Sequence, residues 1–300
     1  MTCREIHETD LVDCLNVTPG HAGDEITGRE KALDIWAALL KSRGFKGALV
    51  ESNPPIAGRR IVGFGASIFV SREFATRETG HPRPYLNSRL FEAIARGESV
   101  VLSEAGLRAA NATEGLELLI LAGTWSVDVL TDQLSAQIGT MLAFKALSLH
   151  GGYRLNRQIY EVVGDSQRGF YESTGVWQLM SGFGGGRALM VVTRELALSV
   201  GASVAASMFS YRNPILELRP AERELLEAAL DGATDQELAA KLHLTLTAVK
   251  RRWLVLFNRI AESHPALFVE GEGFESQARG KQKRHHLLSY VREHLEEIRP

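Results

Sequence analysis

The chain has 300 residues, 45% of them hydrophobic, with 34 Lys and Arg against 36 Asp and Glu and a formal charge of −2. This length supports two domains with cores of their own, and the near-neutral balance excludes bulk nucleic-acid binding through a global basic field. Two cysteines exclude a disulfide framework, and no apolar run approaches membrane-spanning length, so a cytoplasmic, reduced protein without a membrane partner is expected.

Residues 1–29 read as a polar N-terminal segment. Its start, Met1-Thr2-Cys3-Arg4-Glu5, lacks the basic and apolar regions of a secretion signal. Cys3, His7, Cys14 and His21 are spaced x3, x6, x6, which matches no familiar metal site; neither a metal nor another cofactor is expected. From 30 to 212 helices and strands alternate. Glu30–Ser42 carries Leu33, Trp36, Ala37 and Leu40 at helical spacing, with Gly44 as a stop. Gly47–Glu51 and Arg60–Ser71 read as strands, Leu86–Arg96 as a helix closed by Gly97, and Leu116–Gly123 as a short buried strand. Asp128–Leu149 reads as a long helix. Leu155–Val163, Val176–Met180, Ala188–Thr193 and Val204–Phe209 read as strands that complete the sheet. The expected fold class is α/β (α+β), a central mixed sheet covered by helices. Trp36, Trp125 and Trp177 fit a core better than a ligand pocket. The glycine-rich Ser181–Arg187 reads as a connection, and His150 as a partner for the dipole of the long helix.

Two segments of this region resemble the GNAT acyltransferases: Ile61-Val62-Gly63-Phe64-Gly65, like an early hairpin strand, and Phe170-Tyr171-Glu172-Ser173-Thr174-Gly175-Val176, like a late Phe-Tyr segment. The resemblance spans about residues 30 to 210. It implies that Tyr171, if the chain is an acyltransferase, protonates the thiolate that leaves. The family's Gln/Arg-x-x-Gly-x-Gly/Ala phosphate loop is expected after the fourth strand, where backbone amides opening a helix hold pyrophosphate. Here Thr124-Trp125-Ser126-Val127-Asp128-Val129-Leu130-Thr131-Asp132 stands there instead, without glycine and with two acids. Arg60-x-x-Gly63-x-Gly65-Ala66 matches the pattern but runs on into a strand. Gly164 and Gln167 replace the Asn and Ala that precede the tyrosine in the family. On these grounds no catalytic activity is expected, and Tyr171 reads as a core or pocket-edge residue.

Residues 213–263 read as three helices. Pro220 suits a first helical position, Gly232 a left-handed turn, and Thr234 with Glu237 a capping box. Thr245 caps a third helix, in which Val249, Trp253, Leu256, Phe257 and Ile260 form a buried stripe. The runs Leu218-x-Pro220-x-Glu222-Arg223-Glu224-Leu225-Leu226, Gly232-x-Thr234-Asp235-x-Glu237-Leu238-Ala239 and Leu244-Thr245-x-x-Ala248-Val249-Lys250 resemble the LuxR/GerE class of helix-turn-helix domains. The resemblance implies that the last helix enters the DNA major groove. Thr247 and Arg251 are then expected at base edges, and Thr245, Lys250 and Arg252 at phosphates of double-stranded DNA. Residues 264–300 read as a linker with a basic cluster (Arg279, Lys281, Lys283, Arg284, His285, His286) and an amphipathic helix. Its stripe of Leu287, Leu288, Val291, Leu295 and Ile298 must dock on its own chain or on a partner.

The expected function is a DNA-binding transcriptional regulator, a homodimer whose N-terminal domain senses a small molecule or mediates assembly. The alternative is an acyl-CoA-dependent N-acyltransferase with an appended DNA-binding domain.

Overall fold

The computed structural model describes residues 1–17, 22–126, 128–201, 203–230, 232–268 and 276–299, with backbone alone for 27 and 276–281. His21 and the side chains of Arg279 and Lys281 lie outside the described residues. The chain divides into two compact units, Met1–Ser210 and Tyr211–Pro300.

The first unit begins with β1 (Thr2–Glu5), α1 (Leu11–Val17), α2 (Asp24–Thr27) and α3 (Arg29–Leu40). The expected polar segment is therefore structured. Thr2–Glu5 adds an antiparallel edge strand, and α1 sends Leu11, Cys14, Leu15 and Val17 into the main core. Burial pushes the Cys14 thiol up to about 12, as expected for a sulfur that packs as an apolar group. Asp10 anchors this corner: Arg4 donates to it at 2.7 and 2.9 Å, and Arg60 at 3.2 Å.

Then follow β2 (Phe45–Ile56), β3 (Arg59–Val70), α4 (Arg72–Gly80), α5 (Leu86–Ala95), α6 (Glu104–Ala112) and β4 (Leu116–Trp125). After them come α7 (Asp132–His150), β5 (Leu155–Val163), α8 (Asp165–Ser173), β6 (Gln178–Phe183), β7 (Arg187–Thr193), α9 (Arg194–Ser199) and α10 (Val204–Phe209). Among the described residues the strands form one seven-stranded sheet, ordered β1-β2-β3-β4-β5-β7-β6. All neighbours are antiparallel except β4 and β5. A parallel pair needs a crossover, and α7 supplies it.

Strand alternation assigns the two faces. On β3, Phe64, Ala66, Ile68 and Val70 face one side and join the core of α1, α3 and α5, built around the buried Trp36. Gly63, Gly65, Ser67 and Phe69 face the other side, which α7 covers. A Cβ at Gly63 would lie 2.5 Å from Ile138 of α7, so the absent side chain is what lets the helix approach.

One expected strand is a helix. Val204–Phe209 begins with a Ser203 cap, whose hydroxyl accepts from the Ala206 amide at 3.0 Å. It buries Met208 and Phe209 beside α9 and α7. Its apolar run is too short for periodicity to separate helix from strand, and the cap decides it. The glycine-rich stretch is the β6–β7 turn, with Gly185 and Gly186 at φ of 72° and 74°.

The second unit holds α11 (Pro220–Ala229), α12 (Asp235–Lys241), α13 (Leu246–Ser263) and α14 (Ser276–Glu293). The capping box is formed: the Thr234 amide donates to Glu237 at 2.7 Å, and the Glu237 amide to the Thr234 hydroxyl at 3.3 Å. Gly232 takes φ 83° between α11 and α12. Leu225, Leu238, Val249, Trp253, Leu256 and Ile260 pack together. Leu287, Leu288, Val291 and Ile298 join the same cluster, so the C-terminal stripe docks on its own unit. Arg284 of the basic cluster pairs with Asp235 at 2.8 Å and stacks over Trp253. No described helix is long and apolar enough to cross a membrane.

Candidate active site

The parallel pair β4–β5 does not run its full length as a ladder. Pairing goes from Leu116↔Leu155 to Ile120↔Tyr160 and stops, although β4 continues to Trp125 and β5 to Val163. Beyond Ile120 the two strands part. A bulge sits at that point: Ala66 pairs with Ala122 but Ser67 with Ile120, so Leu121 is the extra residue. Bulges bend a strand and break its ladder, which frees backbone groups in a sheet interior.

Side chains hold the gap from both faces. On the α5 side, Asn87 donates to the Leu121 carbonyl at 2.7 Å. Glu161 of β5 accepts from the Tyr85 and Leu86 amides at 2.8 and 2.5 Å, so a carboxylate caps the positive end of α5. On the α8 side, the Tyr171 hydroxyl donates to the Gly123 carbonyl at 3.4 Å. Tyr160 donates to Gln167 at 3.4 Å, and Gln167 in turn donates to Thr124. A Cβ on Gly123 would stand 2.5 Å from the Tyr171 oxygen, so glycine is required where the tyrosine meets β4.

The aromatic rings form a chain at this gap. Tyr171 lies edge-on to Tyr160, Phe170 and Trp177 at 5.1, 5.4 and 5.3 Å between centroids, and Trp125 meets Phe170 at 5.2 Å. Burial raises the Tyr171 phenol above its ordinary range, and the Tyr160 phenol likewise. Low dielectric disfavours phenolate, so each hydroxyl keeps its proton. Among the described residues, Trp125 Nε1 and Ser126 Oγ at the end of β4 are buried without a hydrogen-bond partner. Buried polar groups in this state call for a ligand or water.

A cavity of about 400 Å³ opens from the gap between the sheet, α7, α8 and α10. Trp125, Phe170, Tyr171 and Trp177 line it, as do Ser67 and His150. Of the three tryptophans, Trp36 is core and the other two line the cavity. His150, read above as a dipole partner, is buried inside: its ring lies 2.8 Å from Ser67 Oγ and 2.7 Å from the Ala146 carbonyl.

The phosphate-loop position is as bare as the sequence implies, but its charge is not. Asp128 is paired by both Arg59 guanidinium nitrogens at 2.9 and 2.7 Å, which hold its carboxyl below the usual range. The Thr131 hydroxyl caps α7 by accepting from Leu134, and Asp132 occupies the first turn. Gln167, where the family pattern has alanine, braces β4 from α8.

In the second unit, Thr245, Thr247, Lys250 and Arg251 are exposed at the start of α13, and Arg252 is half-buried. Thr245 caps the helix through the Ala248 amide at 3.2 Å. Arg259, further along α13, is half-buried and engaged within the unit. It donates to Glu222 at 2.7 Å and to the Leu216 carbonyl at 3.0 Å.

No family model matches the sequence, and no curated protein sequence is significantly similar to it. Similar arrangements occur among solved structures. FeeM, an N-acyl amino acid synthase from uncultured soil microbes, is 10% identical with a TM-score of 0.35, over 66% of this chain and 95% of that one. A mosquito arylalkylamine N-acetyltransferase-like protein is 11% identical with a TM-score of 0.37, over 64% and 99%. A point mutant of the Vibrio cholerae spermidine N-acetyltransferase SpeG is 9% identical with a TM-score of 0.32, over 67% and 98%. Likeness at this level concerns the arrangement of elements, not activity.

The expectation of a non-enzymatic transcriptional regulator is corrected here. These solved structures are N-acyltransferases, and none named is a LuxR/GerE-type regulator. Within the first unit, the parted strand pair, the cavity and the buried tyrosine lie together. The inference against catalysis took the missing phosphate loop as decisive. That loop bears on how pyrophosphate is held, and it is separate from the cavity bordered by β4, β5 and α8.

Proposed function

We propose that the first unit is an N-acyltransferase that moves an acyl group from a thioester donor to an amine. The carrying observation is the parting of β4 and β5 beyond Ile120↔Tyr160, which exposes the end of β4 to a cavity edged by Tyr171. The amine nitrogen attacks the thioester carbonyl, a C–N bond forms, the C–S bond breaks, and the amine releases a proton to solvent. The departing thiolate takes a proton from the Tyr171 hydroxyl, which is later reprotonated from water. The Trp125 N–H, on a residue that lines the cavity, is free to meet a polar atom of the donor's arm.

The fit to a coenzyme A donor is uneven. The apolar cavity suits an acylated pantetheine arm; the glycine-free start of α7, with Asp132 in its first turn, offers little to pyrophosphate. Incubation of the full chain with acyl-CoA and a panel of primary amines, read as free thiol and amide mass, tests the reading. Amide must form, and Tyr171→Phe must slow it.

For the appended unit, contacts of Thr245, Thr247, Lys250, Arg251 and Arg252 with duplex DNA stay a proposal independent of acyl transfer. Lys250→Ala/Arg251→Ala would weaken duplex binding and flatten its salt dependence by about 1 per lost phosphate contact; binding equal to the parent's would overturn the assignment. The homodimer is likewise a proposal, and equilibrium sedimentation giving a monomer at micromolar concentration contradicts it. A small-molecule effector belonged to the regulator reading and has no separate support.

A further inference from the structure

We propose that the cavity beneath α7 is the binding site for the acyl chain of the donor, and that the chain it takes has about twelve carbons rather than two. This deepens the N-acyltransferase reading and rests on it for the reacting end only.

The cavity wall is apolar along one helical face. Gly139, Ala143 and Ala146 of α7 line it at i, i+4 and i+7, and His150 follows at i+11. Val204 and Met208 of α10 close the opposite side. The small α7 side chains leave the space: a Cβ at Gly139 would already touch Phe170 and Trp125 at 3.3 Å. An acetyl group would leave nearly all of this volume empty, and an open apolar cavity forfeits the contacts its lining atoms would otherwise make.

Two measures of size agree. From Gly139 to His150 the helix rises about 16 Å at 1.5 Å per residue. A carbon chain with ~1.5 Å bonds advances roughly 1.25 Å per zigzag step, so about a dozen atoms span that length. By volume, 400 Å³ at roughly 30 Å³ per small group, a water's share of liquid volume, again holds about a dozen. Gly123 and Tyr171 border the cavity where the thioester must react, and Lys46, Ser67 and His150 border it further along β3 and α7. The carbonyl of Ala146 takes the His150 Nδ1 proton at 2.7 Å, which leaves Nε2 to accept the Ser67 hydroxyl at 2.8 Å. The pair thereby presents a wall whose polar atoms are directed at each other, compatible with a chain end.

The test is titration of the full chain with the fatty acids butanoate to hexadecanoate, read by quenching of Trp125 and Trp177 at the cavity. Dissociation constants should fall about fourfold per added methylene, then level near twelve carbons. Ala146→Phe should move the break at least three carbons shorter. Val204→Trp, on the more exposed wall, should shift it in the same direction if the first variant fails to fold by circular dichroism. Constants flat from butanoate to dodecanoate, or a break unmoved in both folded variants, would overturn the proposal. Amide formation as fast from acetyl as from dodecanoyl thioester would also overturn it while leaving acyl transfer standing. Chain-length-dependent binding without transfer to any amine would do the reverse.

Discussion

Tyr171 shows how one position collects several requirements. Its hydroxyl reaches the Gly123 carbonyl, its ring completes an aromatic edge, and burial keeps its proton in place. A general acid supplies about 10²–10⁴-fold, so Tyr171→Phe should lower kcat by at least about 100-fold with KM nearly unchanged. The sign of the pH effect follows from the raised pKa. The phenol stays protonated through the range in which a free tyrosine ionises, so kcat should not fall from loss of this proton up to about pH 10. A fall with midpoint near 9 that Tyr171→Phe abolishes would mean the phenol is not buried as described. Gly123→Ala would push a methyl group into the same oxygen, and a loss of activity comparable to Tyr171→Phe is expected in the thiol-release assay.

At the scale of elements, the bulge and its brace set the geometry. Asn87→Ala would leave the Leu121 carbonyl unpaired in a buried sheet and should cost roughly 1–3 kcal/mol in urea unfolding. In the second unit, loss of the Thr234 cap in Thr234→Ala should cost about 1 kcal/mol. A change below about 0.3 kcal/mol in the former would show that the brace is not formed. These elements differed in how plainly the sequence announced them. The capping box and the Val249–Ile260 stripe are local signals, and α12 and α13 are formed by those same residues. Leu155–Val163 is also bounded as its apolar run implies. Val204–Phe209 was ambiguous because six apolar-rich residues fit either period. The parting of β4 from β5 left no local mark, since it depends on a bulge at Leu121 and on Asn87 and Glu161 from distant segments. The cavity was hidden for a similar reason: its lining is brought together from β3, β4, α7, α8 and α10, segments far apart in the chain.

For the molecule as a whole, the division at Tyr211 leaves each unit with hydrophobic clusters of its own. Each is expected to melt as a unit of its own, with a fragment of residues 211–300 retaining its helical spectrum. The corner at Asp10 gives the first unit a pH dependence. The Arg4 guanidinium, with Arg60, holds the Asp10 carboxyl well below the usual range. Its stabilising contribution is therefore complete above about pH 5 and drains away as pH falls below about 4, the unfolded carboxylate value. Asp10→Asn should remove that part of the acid sensitivity in thermal melts, while an unchanged acid profile would place the effect elsewhere. The central claim, that this fold performs acyl transfer at the parted strands, is tested most directly by mass spectrometry. The full chain is incubated with dodecanoyl-CoA and a mixture of primary amines. The account predicts an N-dodecanoyl amide formed with stoichiometric thiol release, sharply reduced in Tyr171→Phe. No amide from any amine with dodecanoyl or acetyl donor, or equal yield from the parent and Tyr171→Phe, would contradict it.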